Sequence, residues 1–121
     1  MGQRQALIVY GSDEHSELVK AITRSGFLPV IRVNVFNILQ LIRQRDFSAI
    51  VIDSDNLKED ALELVLNVRD IDDNIPIIWI GDAISSYEKR ILNEQRNVAT
   101  THLLSAQSLK EKVRKMQNYS N

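Results

Sequence analysis

Ala49-Ile50-Val51-Ile52-Asp53-Ser54-Asp55-Asn56 is four apolar residues followed by four polar ones. Apolar residues at consecutive positions, rather than alternate ones, mark a strand buried on both faces, as a parallel strand between two helical layers is. This third strand ends at an acidic residue, so it delivers carboxylates to its carboxyl end. On one side in sequence, Ala6-Leu7-Ile8-Val9-Tyr10 repeats the pattern and stops at Gly11-Ser12-Asp13, a predicted turn and then a helix cap. On the other side, Pro76 to Ile80 is a further strand with Trp79 inside it and Gly81 at its end. Trp79 is expected in the core, with its indole N–H needing a partner.

The intervening segments carry helical spacing. Leu18, Val19 and Ile22 precede a stop at Gly26. Leu28 to Val33 is a second strand, and Pro29 predicts an edge position because proline cannot donate to a ladder. Asn34 can cap a helix with Val35, Ile38, Leu39 and Ile42 on one face. Ala61 to Val68 is helical by its Leu62, Val65 and Leu66 pattern. Ser85-Ser86 caps a helix with Tyr87, Ile91 and Leu92 inward. Thr101 to Leu104 is a predicted fifth strand, and Ser108 starts a last helix with Leu109, Val113 and Met116 on one face. Strands alternating with helices through short loops specify an α/β fold, an open parallel sheet of five strands covered on both sides. No linker or repeat interrupts residues 1–121, which are expected to form one domain. The chain ends just after the last helix, as a small complete protein and a domain cut at its edge both would.

Composition narrows the function classes. The 121 residues are 44% hydrophobic and 26% charged, ordinary for a soluble globular chain. Fifteen basic residues against sixteen acidic ones give a net charge of −1, without the basic excess of nucleic-acid binders. There is no cysteine, which excludes disulfides, thiolate catalysis and sulfur-rich zinc sites. The start, Met1-Gly2-Gln3-Arg4-Gln5, has no signal-peptide layout, and no apolar run approaches the ~20 residues of a membrane span. The expected setting is cytoplasmic.

Open α/β sheets bind ligands beyond the carboxyl ends of the strands, where the strand order reverses. In the common 2-1-3-4-5 order that point lies between strands one and three. It gathers Tyr10, Gly11, Ser12, Asp13, Asp53, Ser54 and Asp55, with Gly81 and Asp82 after strand four and Ser105 after strand five.

At these residues the chain resembles the receiver domain of bacterial response regulators, a flavodoxin-like three-layer sandwich. The likeness spans ALIVYGSDEHSELVKAITRSGF, SAIVIDSDNLKEDALELVLNVR, NIPIIWIGDA and NVATTHLLSAQSLKEKV, essentially the whole chain. It implies that Asp53 holds the phosphoacceptor position and His102 the aromatic switch position. The departures are specific. The resemblance calls for two Mg²⁺-holding acids where Tyr10 and Gly11 stand. It calls for Thr or Ser where Gly81 stands, and for Lys-Pro where Ser105-Ala106 stand. Leu57 replaces the Pro of the strand-three loop, and Ala61 its Gly. Phosphoryl transfer is accelerated mainly by positioning and charge stabilisation, and Mg²⁺ is held through one or two carboxylates. Losing one such stabiliser costs about 10²–10³ in rate. The resemblance is therefore to a pseudo-receiver, a signalling domain that acts by protein contact with phosphorylation at Asp53 lost.

The Gly-acid pair of IGDA resembles atypical receivers of flagellar sigma-54-dependent transcription activators and of gliding-motility regulators, so an N-terminal regulatory role in such a protein is one expectation. Two others stand beside it. One is an unorthodox but phosphorylatable two-component response regulator using Asp53, with Asp13 and Asp55 completing a weak Mg²⁺ site. The other is the N-terminal wing domain of a pyridoxal-phosphate amino-acid decarboxylase, since such enzymes carry receiver-like domains. No cofactor is expected beyond weak Mg²⁺. Ser12, Ser54 and Ser105 could line a small anion pocket, although no Lys or Arg falls among them. No nucleophile, base and orienter occur together, so catalysis by this chain is not expected. The family uses its fourth helix, fifth strand and fifth helix for contacts. That places a switch or homodimer surface over residues 85–119, with His102, Tyr87, Lys110 and Arg114 as candidates, while Lys110, Lys112, Arg114 and Lys115 also suit a solvated helix face. Expected partners are proteins or further domains of a larger regulator, without direct contact to nucleic acid or membrane.

Overall fold

The structure is a computed structural model that describes residues 6–56, 61–81, 85–102 and 106–119. Its elements in chain order are β1 (Ala6–Tyr10), α1 (Glu17–Arg24), β2 (Leu28–Arg32), α2 (Val35–Gln44), β3 (Ala49–Asp53), a 3₁₀ turn (Ser54–Asn56), α3 (Ala61–Ile71), β4 (Ile77–Ile80), α4 (Ser86–Glu94), β5 (Val98–Thr101) and α5 (Ala106–Tyr119). The five strands are all parallel in the order β2-β1-β3-β4-β5.

The unbroken apolar strands follow directly from two cores, one on each sheet face. Leu7, Val9, Val51 and Ile78 pack with Leu18 and Ile22 of α1 and Leu109 and Val113 of α5. Ile8, Tyr10, Ile50, Ile52, Ile77 and Trp79 point the other way, against Ile38 of α2, Leu64, Val65 and Val68 of α3 and Leu92 of α4. Successive strand residues face opposite sides, so a strand covered on both needs no alternation in its sequence. Trp79 is buried as expected. β2 is an edge strand, as Pro29 requires. Asn34 caps α2 through Oδ1, which accepts from the Phe36 and Asn37 amides.

Several boundaries differ from expectation. α1 is capped by Ser16, whose Oγ accepts from Val19 N, not by the Gly11–Asp13 segment. Asp13 instead closes a turn, with Oδ1 accepting from His15 N at 2.8 Å. The fifth strand is Val98–Thr101, starting three residues before the expected Thr101, because Ile77 to Ile80 pair with Val98 to Thr101, while Leu103 and Leu104 of the expected strand lie outside the described residues. α5 begins at Ala106, so Ser108 lies inside its first turn rather than capping it. Tyr87 is 61% exposed, not inward. α4 buries Leu92, and a residue five positions earlier lies about 140° around the helix from it.

Arg69 was not singled out by sequence pattern. It sits on the buried stripe of α3 one turn beyond Val65 and fans its guanidinium over backbone carbonyls. Nε donates to Arg96 O at 2.7 Å and Nη1 to Asp72 O at 2.9 Å, while Nη2 donates to Ile75 O at 2.7 Å and Asn97 O at 3.1 Å. It ties the end of α3 to the loops entering β4 and β5. Burial holds its pKa below the usual guanidinium value, with Asp72 and Asp73 opposing that shift. Asn97 has φ 57°, a left-handed conformation that Asn tolerates, and its Nδ2 donates to Asn74 O and Met116 O.

Candidate functional site

Three strand ends form the crevice predicted from topology. β1 and β3 lie side by side with Tyr10 opposite Ile52, and β4 follows with Ile80 opposite Asp53. This register carries Ser12, Asp53, Ser54 and Gly81 to one end of the sheet.

Ser12 is buried, and its Oγ donates to Asp53 Oδ2 at 2.8 Å. Ser54 Oγ donates to Ile80 O at 2.9 Å, pinning the 3₁₀ turn to the end of β4. A hydroxyl has one proton to give. With both protons committed inside the protein, Ser12 and Ser54 do not form the donor set of an anion pocket.

Gly81 is explained by Ser54. A Cβ on residue 81 would collide with Ser54 Oγ and lie 3.0 Å from Asp55 Oδ1. The volume a side chain would need is therefore filled from the neighbouring strand's loop, and the backbone there is held by Gly81 N donating to Thr101 O. We expect Gly81→Ala to force Ser54 off Ile80 O and cost about 1–2 kcal/mol, the worth of a partly buried hydrogen bond with some strain. Ser54→Ala should relieve the collision, so the double variant should lose less than the sum of the singles in a denaturation cycle. Strict additivity would refute this packing relation.

The two positions where the receiver resemblance calls for acids are occupied in different ways. Tyr10 is 1% exposed and belongs to the core against α2, α3 and α4. Gly11 has φ 99°, a conformation that L-residues rarely adopt. Of the candidate metal ligands, Asp13 is exposed and engaged in its own turn, while Asp53 accepts from Ser12. Among the described residues no group of three or more His, Asp or Glu side chains is gathered to hold a metal ion. Asp55 is exposed in the 3₁₀ turn after β3.

His102 is exposed and lies one residue past the end of β5. Tyr87 lies beneath the Arg90 guanidinium, 6.0 Å from ring centroid to Cζ. Lys110 and Arg114 are exposed on α5. Leu57, Asp82 and Ser105 lie outside the described residues. Sequence reasoning named Ser12 and Ser54 as residues near the crevice but missed their internal partners. The usable signal was a glycine at a strand end opposite a loop serine.

No protein-family model and no curated protein sequence matches the chain. Solved structures do. A receiver domain protein (CheY-like) from Methanospirillum hungatei is 14% identical, with 98% of each chain covered and a TM-score of 0.77. An atypical orphan response regulator, described as having a phosphorylation-independent regulatory mechanism, is 15% identical over 94% of this chain and 95% of that one, with a TM-score of 0.69. The constitutive lysine decarboxylase of E. coli is also 15% identical, covering 96% of this chain but 17% of that one, with a TM-score of 0.69. Identities this low speak to architecture alone: the chain has the 2-1-3-4-5 parallel α/β fold of response-regulator receiver domains.

Proposed function

We propose that this chain is a receiver-type signalling domain that works through protein contact and not through aspartyl phosphate. The observation that carries the reading is the internal pairing at the strand ends, in which Ser12 hydrogen-bonds Asp53 and Ser54 occupies the space beside Gly81. Carboxylate attack on phosphorus is accelerated by positioning and by cations around the transferred group. Here one carboxylate oxygen is engaged by a hydroxyl, and Tyr10 and Gly11 supply no acid. The likeness to a regulator described as phosphorylation-independent supports the same reading. Control then comes from a partner that binds one of two surface states better than the other. The role of N-terminal regulatory domain in a flagellar-type sigma-54-dependent activator is the specific form we favour, with residues 85–119 as the responsive face and no catalysis by the domain itself.

An NMR titration of the labelled protein with Mg²⁺ and then beryllofluoride tests it. We expect no saturable shifts at the Ser12, Asp53 and Gly81 amides at millimolar Mg²⁺. Saturable shifts there, spreading to His102, would restore phosphorylation as the switch. The decarboxylase likeness favours a second reading, a wing domain. Isolation of this sequence within a longer chain carrying a Schiff-base lysine would establish that one instead.

A further inference from the structure

α1 and α5 cover the same face of the sheet, and between them runs a groove of about 440 Å³ lined by Arg24, Ser25, Gln107, Lys110, Glu111 and Arg114. We propose that this groove docks an acidic segment of a partner protein. The inference rests on the contact-module reading above and names the chemistry of one partner.

Three cations from two helices converge on the groove, and none is ion-paired with a described residue. The single acid, Glu111, is approached by Gln107 Nε2 at 3.4 Å. Helix electrostatics do not account for the pattern. Arg24 lies in the last turn of α1, where a cation complements the dipole. Lys110 and Arg114 do not, because the last turn of α5 carries no basic residue and its first turn no acidic one. They are also like charges at i, i+4, an arrangement that mildly destabilises a helix. With the chain at −1 overall, three cations against one acid make this groove a local concentration of positive charge.

Carboxylates suit these groups. Arg24 and Arg114 offer planar forks that take carboxylates in bidentate fashion, and Lys110 adds a point charge between them in chain order. A nucleic-acid strand suits them less. No aromatic residue lines the groove for base stacking, and Glu111 would face the phosphates.

The test is an NMR titration of the labelled full chain with a hexaglutamate peptide, at about 20 mM and about 150 mM salt, because exposed charges are screened within ~8–10 Å at the higher value. We expect saturable shifts at the amides of residues 24, 25, 107, 110, 111 and 114, weakening several-fold at the higher salt. Lys110→Glu with Arg114→Glu should weaken binding at least tenfold. Lys89→Glu with Arg90→Glu makes the same charge change on α4, across the sheet, and should change it less than twofold. Thermal melts of both pairs confirm that each is folded. Equal losses in the two pairs, no saturable shifts at millimolar peptide, or tighter binding of a single-stranded oligonucleotide of equal charge would each overturn the inference. A beryllofluoride response at Asp53 would instead overturn the contact-module reading and leave the groove shifts readable on their own.

Discussion

Tyr10→Asp should unfold the domain or lower its melting temperature by about 20 °C or more. The substitution restores one acid that the receiver resemblance calls for at the end of β1, yet Tyr10 is 1% exposed within the core formed with α2, α3 and α4. Removing a buried aromatic ring costs about 3–5 kcal/mol. Placing a carboxylate there adds a desolvation cost unless it stays protonated. The sum rivals the 5–15 kcal/mol stability of a typical domain, and each kcal/mol moves the melt of a chain this size by about 3–5 °C. Tyr10→Phe keeps the ring and should lose only about 1 kcal/mol, the net worth of a hydrogen bond. Gly11→Asp should cost about 1–2 kcal/mol more, because φ 99° disfavours any side chain. Thermal and urea denaturation monitored by circular dichroism measures all three. A Tyr10→Asp protein as stable as the parent would mean that residue 10 can turn out of the core and present an acid at the strand ends.

Arg69→Ala should cost about 3–4 kcal/mol, the largest loss expected from any one charged side chain among the residues the structure describes. Four donated hydrogen bonds from one guanidinium reach carbonyls of residues 72, 75, 96 and 97. Charge-assisted bonds are worth about 1.5–3 kcal/mol each, but they act as one unit and do not sum. Arg69→Lys should recover less than half the loss, because a single ammonium cannot replace a planar fork spanning two loops. Burial lowers the Arg69 pKa, so the charged form is the one disfavoured by folding, and any gain from losing the proton would come only as pH rises through that lowered value. Guanidinium stays protonated at ordinary pH. The deficit of Arg69→Ala should therefore be equal at pH 6 and pH 9, measured as the difference in urea midpoint. A deficit that vanishes at pH 9 would contradict the charged-staple account.

The layer order of the fold was legible in the residues themselves. Consecutive apolar runs at 6–10, 49–52 and 77–80 can be buried only by helices on both sheet faces, and Pro29 cannot sit in a central parallel strand. Both features act within a few residues, so they survive without knowledge of the rest of the chain. The position of β5 was less legible. Val98–Thr101 is weakly apolar, and its place is set by pairing with Ile77–Ile80 rather than by its own composition.

By itself, the sequence determined an α/β chain with Asp53 at a strand end, and with Tyr10, Gly11 and Gly81 at the strand-end positions where the receiver resemblance calls for acids and a hydroxyl. Tertiary structure alone decided what fills those places. Ser54 enters the space beside Gly81, Ser12 reaches across 41 positions of sequence to Asp53, and Arg69 gathers carbonyls from two loops. Propensity and periodicity report on neighbours three or four residues away. Hydrogen bonds between distant segments depend on strand order and register, which exist only once the sheet has assembled.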